Sequence, residues 1–519
     1  MTIGDLLTGQ ARVRPHTLAL VDDRGGRTLT FAQLEQEVGH AAAWWQSQGI
    51  GRRQAVLVFV PMSADLYVAL LALFRLGAVA LFLDPSAGRE HIERCCERWA
   101  PDALLAISKA HLLRLSSRAL RRIPIKVSVG CWVLGARRWP ARWRNGSLAT
   151  NVADPGDPAL VTFTSGSTGA PKAAVRTHRF LLAQYRALAP GIALEAGEVD
   201  LATLPVFVLA NLAAGATTVI PGVDLRQPGA VDAERVFAQI ERRGVTRITA
   251  SPAFFERLVE YGHAAGRTLP TLRKLYTGGA PVFPRLLEKL REFAPLAQAA
   301  AVYGSTEAEP IAHIDVHAMT PDDLTAMRTG RGLLAGVPVE EVSLRILRDR
   351  WGTPRGGMDA EAFAAEMMPA GQAGEIVVAG EHVLKGYLGG VGDEETKFRV
   401  DGETWHRTGD AGLLDARGRL WLLGRCAARI EDMRGSLYPF GVECVAMTHP
   451  EVRRAGMLAH AGKRLLVIEG DADDALQHRL RAATAWAFVD EVIFVGAMPV
   501  DKRHNAKIDY PALRRTLQM

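Results

Sequence analysis

Residues Val161 to His178 read VTFTSGSTGAPKAAVRTH. The stretch predicts an apolar strand, then a loop of serine, threonine and glycine that ends in Pro171-Lys172, and then a helix. Glycines let a backbone approach a ligand closely, hydroxyl and amide groups donate to phosphate oxygens, and a lysine supplies the countercharge. The stretch therefore indicates a phosphate-binding loop.

Two features separate this loop from a Walker A loop. Gly166 and Gly169 stand too close together, and Ala173 occupies the position where that motif needs a magnesium-binding serine or threonine. The plainer alternative is a surface turn. We favour the phosphate loop because a run of turn and hydroxyl residues leads directly into Lys172.

The sequence around the loop alternates strands with helices. AVLVFV (Ala55 to Val60), the helical pattern from Ala64 to Leu76 and AVALFLD (Ala78 to Asp84) predict a βαβ unit. The pattern recurs around LATLPVFV, ATTVIPG and RITAS, with helices such as Ala233 to Arg243 between them. We therefore predict an α/β fold whose large N-terminal domain has parallel-type sheets and helices.

The C-terminal part has a different pattern, of short strands and turns. GEIVVAG and GLLDARGRLWLLGR predict strands, with a hairpin connection at Ala416-Arg417-Gly418. A chain of 519 residues exceeds the size of one hydrophobic core. We expect an N-terminal domain over residues 1–424 and a small α+β C-terminal lid domain over residues 425–519.

Composition excludes several classes of protein. The hydrophobic fraction of 48% and the charged fraction of 23% are ordinary for a globular protein. A net charge of +6 without an aromatic-basic recognition motif gives no reason to expect nucleic acid as a partner. The five cysteines have neither a disulfide framework nor metal-ligand spacing, which favours a reduced protein without structural zinc.

The sequence predicts a cytoplasmic protein. Its first residues lack the charged start, apolar run and cleavage site of a signal peptide. The stretch from Leu201 to Val223 carries no charge, but it contains Pro205, Asn211 and Gly215. We interpret it as a buried strand-loop-strand segment and not as a membrane span.

Further segments strengthen the interpretation of the phosphate loop. TGGAP starts at Thr277, YGSTE at Tyr303 and RTGD at Arg407, and Gly424-Arg425 and Lys507 follow. In their order and spacing, over essentially the whole chain, these segments resemble the adenylate-forming superfamily of acyl-CoA synthetases, peptide-synthetase adenylation domains and luciferases. The resemblance implies the use of ATP and Mg²⁺ to activate a carboxylic acid as acyl-AMP.

The resemblance also implies roles for particular residues. Catalytic residues are Lys172, Thr306, Glu307 and Lys507, with Glu307 also the metal ligand. The implied ATP-binding residues are Thr164, Ser165, Gly166, Ser167, Thr168, Gly169, Lys172, Gly278, Gly279, Ala280, Pro281, Tyr303, Gly304, Ser305, Asp410 and Arg425.

Several of these roles also follow from the side chains themselves. Glu307 can hold magnesium, Thr306 can bond the α-phosphate and Tyr303 can stack on adenine. Asp410 can accept from both ribose hydroxyls, although an aspartate that caps a turn is its plainer interpretation. For Arg425 the alternative is a surface ion pair. The role of Lys507 depends entirely on the resemblance, because exposed lysines are normal in such a polar segment.

Within the superfamily, the chain most resembles the β-lactone synthetases of bacterial olefin biosynthesis. Residues 200–224, STEAEPIA from Ser305 and PVDKRHNAKI from Pro499 carry this likeness. It implies a 2-alkyl-3-hydroxy fatty acid substrate and an acyl pocket lined by Phe207, Val208 and Leu209.

Two positions in the sequence argue against a thiol as second substrate. Val208 stands where many thioester-forming relatives have a histidine, and Ala427 stands where most relatives have an acidic or lysine hinge residue. Two alternatives stay open, an acyl-CoA ligase and a noncatalytic acyl- or nucleotide-binding protein. His178, His406 and His504 are candidates for the base that assists the hydroxyl, and none is assigned.

A basic segment, residues 109–144, is not explained by these motifs. Residues 103–153 contain no acidic residue. A predicted helix from Ala110 to Arg122 places Arg114, Arg118, Arg121 and Arg122 on one face, with Leu112, Leu113 and Leu120 turned inward and Trp132, Trp139 and Trp143 nearby. This surface is either a solvated face balanced by acids elsewhere, or a docking surface for pathway partner proteins or an anionic membrane.

Overall fold

The computed structural model describes residues 1–141, 143, 151–165, 171–501 and 507–519, with Pro85, Thr164 and Ser165 described by their backbone only. The chain forms two compact units. The first unit comprises Met1–Gly222 and Glu381–Glu394, and the second comprises Val223–Gly380 and Glu395–Met519.

The first unit contains two groups of strands. The strands are β1 (Leu18–Asp22), β2 (Arg27–Thr30), β3 (Ala55–Phe59), β4 (Val79–Phe82), β5 (Ala103–Ile107), β6 (Ile125–Val129), β7 (Arg137–Arg138), β8 (Pro158–Ser165), β9 (Pro171–Thr177), β10 (Val199–Ala202) and β11 (Thr217–Ile220). A seven-stranded sheet has the order β7-β6-β5-β3-β4-β8-β9, in which only β8 and β9 are antiparallel. The second group has the order β10-β11-β1-β2. The predicted parallel α/β arrangement is confirmed.

Helices of the first unit pack around a large apolar core. They are α1 (Ile3–Val13), α2 (Phe31–Ser47), α3 (Ala64–Arg75), α4 (Arg89–Arg98), α5 (Leu113–Ser116), α6 (Arg118–Arg122), α7 (His178–Gly191) and α8 (Pro205–Ala214). Between β3 and β4, α3 completes the predicted βαβ unit and is buried over almost its whole length. Among the described residues, none of the helices is both long and apolar enough to cross a bilayer.

The prediction of a helix directly after Pro171-Lys172 is wrong. Residues Pro171–Thr177 form β9, which pairs with β8 as a hairpin, and α7 begins only at His178. Alternate side chains of β9 enter different cores, because Ala173 packs in one apolar cluster and Ala174 in another. The composition of residues 171–177 would also allow a helix. The segment forms a strand because its side chains are buried on both faces of the sheet.

The prediction of a strand-loop-strand over residues 201–223 is also wrong in its middle part. This stretch folds as a strand, the helix α8 and a strand. Pro205 stands at the first position of α8 and Gly215 ends it in the left-handed conformation, with φ 84°. Both residues therefore mark helix ends and not a loop.

The predicted single helix over residues 110–122 is wrong as well. The chain breaks at Ser117, whose ψ is 123° and whose hydroxyl accepts from the Leu120 N–H, so that α5 and α6 are separate short helices. Leu120 is buried as expected, but Leu112 is 62% exposed. Trp139 is 2% exposed and stacks edge-on with Trp44 and Trp143, so it belongs to a core aromatic cluster and not to a surface.

The second unit is built on a mainly antiparallel sheet. Its strands are β12 (Arg247–Ala250), β13 (Lys274–Gly278), β14 (Gln298–Ser305), β15 (Ala308–Asp315), β16 (Leu333–Pro338), β17 (Ser343–Leu347), β18 (Gly374–Ala379), β19 (Lys397–Val400), β20 (Glu403–Leu414) and β21 (Leu420–Arg425). Their order is β17-β18-β20-β21-β16-β15-β14-β13-β12, with β19 on β20. Within this order the parallel pairs are β12 with β13 and β13 with β14. The predicted hairpin at residues 416–418 joins β20 to β21 and is confirmed.

The C-terminal part of the second unit has its own small sheets. The remaining strands are β22 (Ile430–Asp432), β23 (Gly435–Leu437), β24 (Arg454–His460), β25 (Lys463–Glu469) and β26 (Glu491–Val495). Helices of this unit are α9 (Ala233–Arg243), α10 (Pro252–Ala264), α11 (Pro284–Phe293), α12 (Pro321–Arg328), α13 (Ala360–Glu366), α15 (Pro439–Ala446), α16 (Asp474–Ala483) and α17 (Tyr510–Thr516), while the short α14 (Asp393–Thr396) begins in the first unit and ends in the second. The predicted domain division after residue 424 stays a prediction.

A buried ion pair joins β18 to β20. Arg407 donates to both carboxylate oxygens of Glu375, through Nε at 2.8 Å and Nη2 at 2.9 Å, and the two residues are 1% and 0% exposed. Arg407 also donates to the carbonyl oxygens of Arg350 and Thr353 and lies over the Trp351 ring at 5.2 Å. Removing either partner would leave the other charge buried without compensation.

A buried carboxyl anchors the C-terminal helix. Glu443 on α15 is 1% exposed and accepts from the Tyr510 hydroxyl and, at 3.2 Å, from the Met457 N–H. Burial raises the pKa of Glu443 to about 7. Tyr510 is the first residue of α17, so this contact holds the segment that follows Lys507.

We expect Arg407→Ala to lower the free energy of unfolding by about 3 kcal/mol, because the Glu375 carboxylate is then buried without its main partner. Arg355, 3.6 Å from Glu375, compensates only part of the loss. Urea unfolding of the purified chain measures the difference. Arg417→Ala, an exposed arginine in the turn between β20 and β21, is the matched control and should change stability by less than about 0.5 kcal/mol. Equal effects of the two substitutions would contradict the assigned role of the pair.

We expect Glu443→Gln to flatten the pH dependence of stability. The folded chain keeps the carboxyl protonated up to a pKa of about 7, whereas the unfolded chain releases the proton near its ordinary pKa of 4.5. The wild type therefore loses about 2 to 3 kcal/mol between pH 5 and pH 8, and the neutral glutamine does not. Urea midpoints at the two pH values test this, with the exposed Asp471→Asn as control. A variant as pH-dependent as the wild type would contradict it.

Candidate functional site

Two parallel strands of the second unit, β13 and β14, end side by side. Gly278 closes β13 opposite Val302, and a Cβ atom at Gly278 would lie 2.6 Å from the Val302 carbonyl oxygen. Gly279 follows with φ +81°, in the left-handed region that favours glycine. Ala280 and Pro281 then lead away from the sheet. The carboxyl end of parallel strands is the edge at which α/β folds bind ligands.

Strand β14 presents Tyr303 and then turns sharply. Its hairpin with β15 has a two-residue connection, Thr306-Glu307, with Ser305 opposite Ala308. The Ser305 hydroxyl accepts from the Glu307 N–H at 3.3 Å. Gly304 is required before the turn, because a Cβ there would lie 2.9 Å from the Ala308 carbonyl oxygen. The turn therefore places a hydroxyl and a carboxylate on neighbouring residues at the tip of the hairpin.

Asp410 links three of the predicted residues. Its Oδ2 accepts from the Tyr303 hydroxyl at 2.8 Å, and its Oδ1 lies 3.2 Å from Nε of Arg425, its register partner on β21. Thr408 supports the group, because its hydroxyl accepts from the Asp410 N–H and its carbonyl from Arg425. Sequence reasoning did not identify Thr408, although it stands inside the RTGD motif. Asp410 lies within a strand, so the turn-capping interpretation does not apply.

Charges in this group reinforce one another. Burial and the Asp410 carboxylate raise the pKa of Tyr303, so the phenol stays a hydrogen-bond donor. Asp410 is the main cause that raises the pKa of Arg425, and Glu307 adds a smaller contribution, so the four side chains lie within electrostatic reach of one another. The Arg425 side chain is 51% exposed and that of Asp410 is 20% exposed. An aromatic ring, a carboxylate and an accessible guanidinium are the groups that suit a nucleoside phosphate.

Glu307 fits the magnesium that the sequence predicts. Mg²⁺ is usually bound by one or two carboxylates together with substrate phosphates, and not by a cage of protein ligands. Among the described residues there is no group of three or more histidine, cysteine, aspartate or glutamate side chains that could hold a metal by themselves. The half-exposed Glu307 at the hairpin tip can therefore contribute one ligand, with ATP phosphates as the others.

Lys172 lies in the first unit, on β9. It is 7% exposed, stands opposite Thr164 in the hairpin, and its Nζ lies 5.8 Å from the centre of the Tyr387 ring. Gly392 packs against its methylene groups, since a Cβ there would lie 2.5 Å from Cε. Tyr387 and Gly392 therefore fix the direction of the lysine, and no local pattern in the sequence indicates them. Residues 166–169 of the predicted phosphate loop lie outside the described residues.

The three predicted acyl-pocket residues lie on α8. Phe207, Val208 and Leu209 are all buried, and the latter two pack into the apolar core of the first unit. Their predicted contact with an acyl chain stays a prediction.

A buried polar network holds α8 in place. On this helix, Asn211 donates to Asp200 at 2.8 Å and to the Thr218 hydroxyl at 3.1 Å, and all three side chains are buried. These residues belong to the 200–224 stretch that carries the β-lactone synthetase likeness, and they join α8 to β10 and β11.

Lys507 lies near the C-terminus of the second unit. Its N–H donates to the Asp501 carboxylate at 2.9 Å and its carbonyl accepts from the Asp501 N–H at 2.8 Å, beside an antiparallel bridge between Val500 and Ile508. The catalytic role of Lys507 stays a prediction.

The histidines considered as bases lie in different environments. His178 is fully buried at the start of α7, packs edge-on against Phe74 at 5.5 Å, and burial lowers its pKa to about 4. His406 is buried with Nδ1 3.0 Å from Nζ of Lys397. Neither ring is exposed to receive a proton from a substrate, and His504 lies outside the described residues.

Comparison with known proteins shows the family of the chain. The family model "AMP-binding enzyme" matches residues 7–388. An olefin beta-lactone synthetase from Stenotrophomonas maltophilia is 34% identical, with 93% of this chain and 90% of the relative covered. One from Xanthomonas campestris pv. campestris is 33% identical, with 96% and 94% covered.

Solved structures share the fold. The anthranilate CoA ligase AuaEII, solved in complex with anthranoyl-AMP, superposes with a TM-score of 0.83 at 18% identity and covers 100% of this chain and 97% of its own. The motifs that resemble the superfamily in sequence thus occur in a chain with the matching fold. The protein belongs to the AMP-binding enzyme family and is an adenylate-forming ligase, a class of enzyme that uses ATP.

Proposed function

We propose that this chain activates a 3-hydroxy carboxylic acid, in particular a 2-alkyl-3-hydroxy fatty acid, as acyl-AMP and then closes it to a β-lactone. The observation that carries the proposal is the identity of 34% and 33%, over most of both chains, to two olefin beta-lactone synthetases. We place the reaction in the cytoplasm, as predicted from the sequence.

In the first step a carboxylate oxygen attacks the α-phosphorus of ATP. A P–O bond to the acid forms, the bond to the β-phosphate bridging oxygen breaks, and pyrophosphate leaves. Positioning and charge stabilisation supply most of the catalysis in such displacements. In this proposal Asp410 accepts from the ribose hydroxyls, since each carboxylate oxygen keeps a lone pair beyond its bond to Tyr303 or Arg425.

The remaining residues bind the adenine ring and the phosphates. The Tyr303 ring stacks on adenine beside Gly278 to Pro281, and Thr306 bonds the α-phosphate. Glu307 holds Mg²⁺, which neutralises phosphate charge when bound. Lys172 and Lys507 supply positive charge near the phosphates. The hydroxyl and amide groups of residues 164–169 donate hydrogen bonds to the phosphate oxygens.

In the second step the 3-hydroxyl oxygen of the acid attacks its own activated carbonyl. A C–O bond closes the four-membered ring, the bond from the carbonyl carbon to AMP breaks, and the hydroxyl proton is released. Tethering gives the hydroxyl a high effective concentration, so no second substrate is needed. Val208 and Ala427, at positions where thioester-forming relatives differ, support an internal nucleophile.

We expect Glu307→Ala and Lys507→Ala each to slow pyrophosphate release at least about a hundredfold, the scale of losing one electrostatic stabiliser. A coupled pyrophosphate assay with the folded variants measures this. Glu341→Ala and Lys463→Ala, which change exposed residues of the same types in the second unit, are the matched controls and should retain wild-type rates. Wild-type rates in the Glu307 and Lys507 variants would remove these residues from the site.

We expect turnover to require a 3-hydroxyl on the acid and no thiol. With ATP and magnesium, a 2-alkyl-3-hydroxy acid should give equal amounts of β-lactone and AMP by mass spectrometry, while the 3-deoxy acid should release little AMP because its adenylate has no internal nucleophile. Addition of coenzyme A should leave the product unchanged. Release of AMP only with coenzyme A, and a thioester as product, would overturn the lactone step and support an acyl-CoA ligase.

A further inference from the structure

Two connections of the first unit lie together at one end of the seven-stranded sheet. They follow the carboxyl ends of the adjacent parallel strands β5 and β6 and comprise residues 108–122 and 130–136. The Ser108 hydroxyl donates to the Cys131 carbonyl at 2.8 Å, and Arg114 donates to the Leu134 carbonyl at 3.2 Å. The two connections therefore form one surface, which we call the apical patch.

Large apolar side chains project from the apical patch into solvent. Leu112 is 62%, Leu115 78%, Trp132 65% and Leu134 78% exposed. Exposed leucine and tryptophan side chains are ordinary when scattered, but four of them on two hydrogen-bonded connections form an apolar group on the surface. Because each of these side chains is exposed over most of its surface, the group fits a soft apolar phase better than a shaped protein partner.

Cations surround these apolar tips. Lys109, Arg118, Arg121 and Arg122 are exposed and Arg114 is half-buried. Within the described part of the chain none of them forms an ion pair, and the hydrogen bonds of the Arg114 and Arg121 guanidinium groups go to backbone carbonyls. The proposed balance by acids elsewhere in the fold is therefore not seen among these residues.

The positive charges also act on one another. The charge of Arg114 contributes to lowering the pKa of Lys126 and of His111, after the larger effect of burial on each. Glu93, the acid that touches this region, bonds the Ser117 hydroxyl and the N–H groups of Arg118 and Ala119, and thus caps α6. The five cations of the patch outnumber this carboxylate, so the patch keeps a net positive charge.

We infer that the apical patch docks the protein on an anionic lipid membrane, with the leucine and tryptophan tips in the headgroup region and the lysine and arginine side chains against lipid phosphates. Several cations within a Debye length attract an anionic surface, and apolar tips add the interfacial anchoring that electrostatics alone does not supply. This inference depends on the surface alone and not on the product of the reaction.

Docking here would bring the carboxyl end of β8, the strand before the predicted phosphate loop, close to the lipid. Strand β8, which leads into that loop, runs parallel to β5 and β6 in the same sheet, with β3 and β4 between them. At the usual strand spacing, β8 lies about 14 Å from β5, and the carboxyl end of β8 lies at the same edge of the sheet as the apical patch. An acid or product held in the membrane would have only a short path to this edge.

The experiment measures flotation of the full-length chain with vesicles of phosphatidylcholine, alone or with about one-third phosphatidylglycerol, at low and high salt. We expect binding only to the anionic vesicles, and weaker binding at high salt. Cys131 is exposed, whereas the other four cysteines are buried, so it can be labelled with a polarity-sensitive thiol dye. The emission of the dye should shift when the protein binds the vesicles. No substrate is present, so the result does not depend on the proposed reaction.

Variants separate charge from apolar insertion. Lys109→Gln/Arg118→Gln/Arg122→Gln keeps the structural bonds of Arg114 and Arg121 and should reduce binding about a hundredfold. Leu115→Ser/Trp132→Ser should reduce binding at least about tenfold and abolish the dye shift.

The matched control removes the same charge elsewhere. Arg186→Gln/Arg291→Gln/Arg417→Gln changes three exposed arginines outside the patch and should bind like the wild type. Circular dichroism confirms that each variant is folded. Absence of binding to anionic vesicles at low salt, or equal loss in the control, would overturn the inference. Salt-dependent retention of an acidic protein in place of vesicles, lost in the patch variant, would assign the patch to a protein partner and overturn the membrane docking.

Discussion

The site of the second unit depends on the bidentate ion pair between Arg407 and Glu375. Removing two charges from water is costly, and the pair offsets that cost only in one geometry, which holds β18 and β20 in register. Gly409 follows with φ +71° and packs under Trp351. The next residue is Asp410, which meets Arg425 and Tyr303. A buried contact that touches no ligand thus positions the carboxylate proposed to bind ribose.

Elements with clear local periods could be predicted from the sequence. The βαβ unit around α3 and the hairpin between β20 and β21 were of this kind. The errors occur where the local pattern is ambiguous: α8 is apolar on all sides and so shows no helical period, and Ser117 caps a second helix inside one continuous helical pattern. Strand β9 could not be predicted because it is stabilised by burial on both faces, and these faces exist only in the folded sheet.

The sequence indicated which residues belong to the candidate site, but it did not indicate which of them contact one another. Motif order indicated Tyr303, Glu307, Asp410 and Arg425, yet the bond from Tyr303 to Asp410 spans 107 positions and has no local signal. Lys172 is even farther in sequence from its partners, Tyr387 and Gly392. The motifs thus indicated activation by ATP, whereas the polar network of Asp200, Asn211 and Thr218 that holds α8 became visible only in the folded chain.

The two-residue connection at Thr306-Glu307 restricts how this enzyme can diverge. A two-residue turn cannot accommodate an inserted residue without a change in the pairing of β14 with β15. Such a change would alter the directions of the Thr306 and Glu307 side chains. Glu307 also cannot shift along the hairpin without moving Thr306. Insertions and deletions should therefore be excluded from this hairpin during evolution.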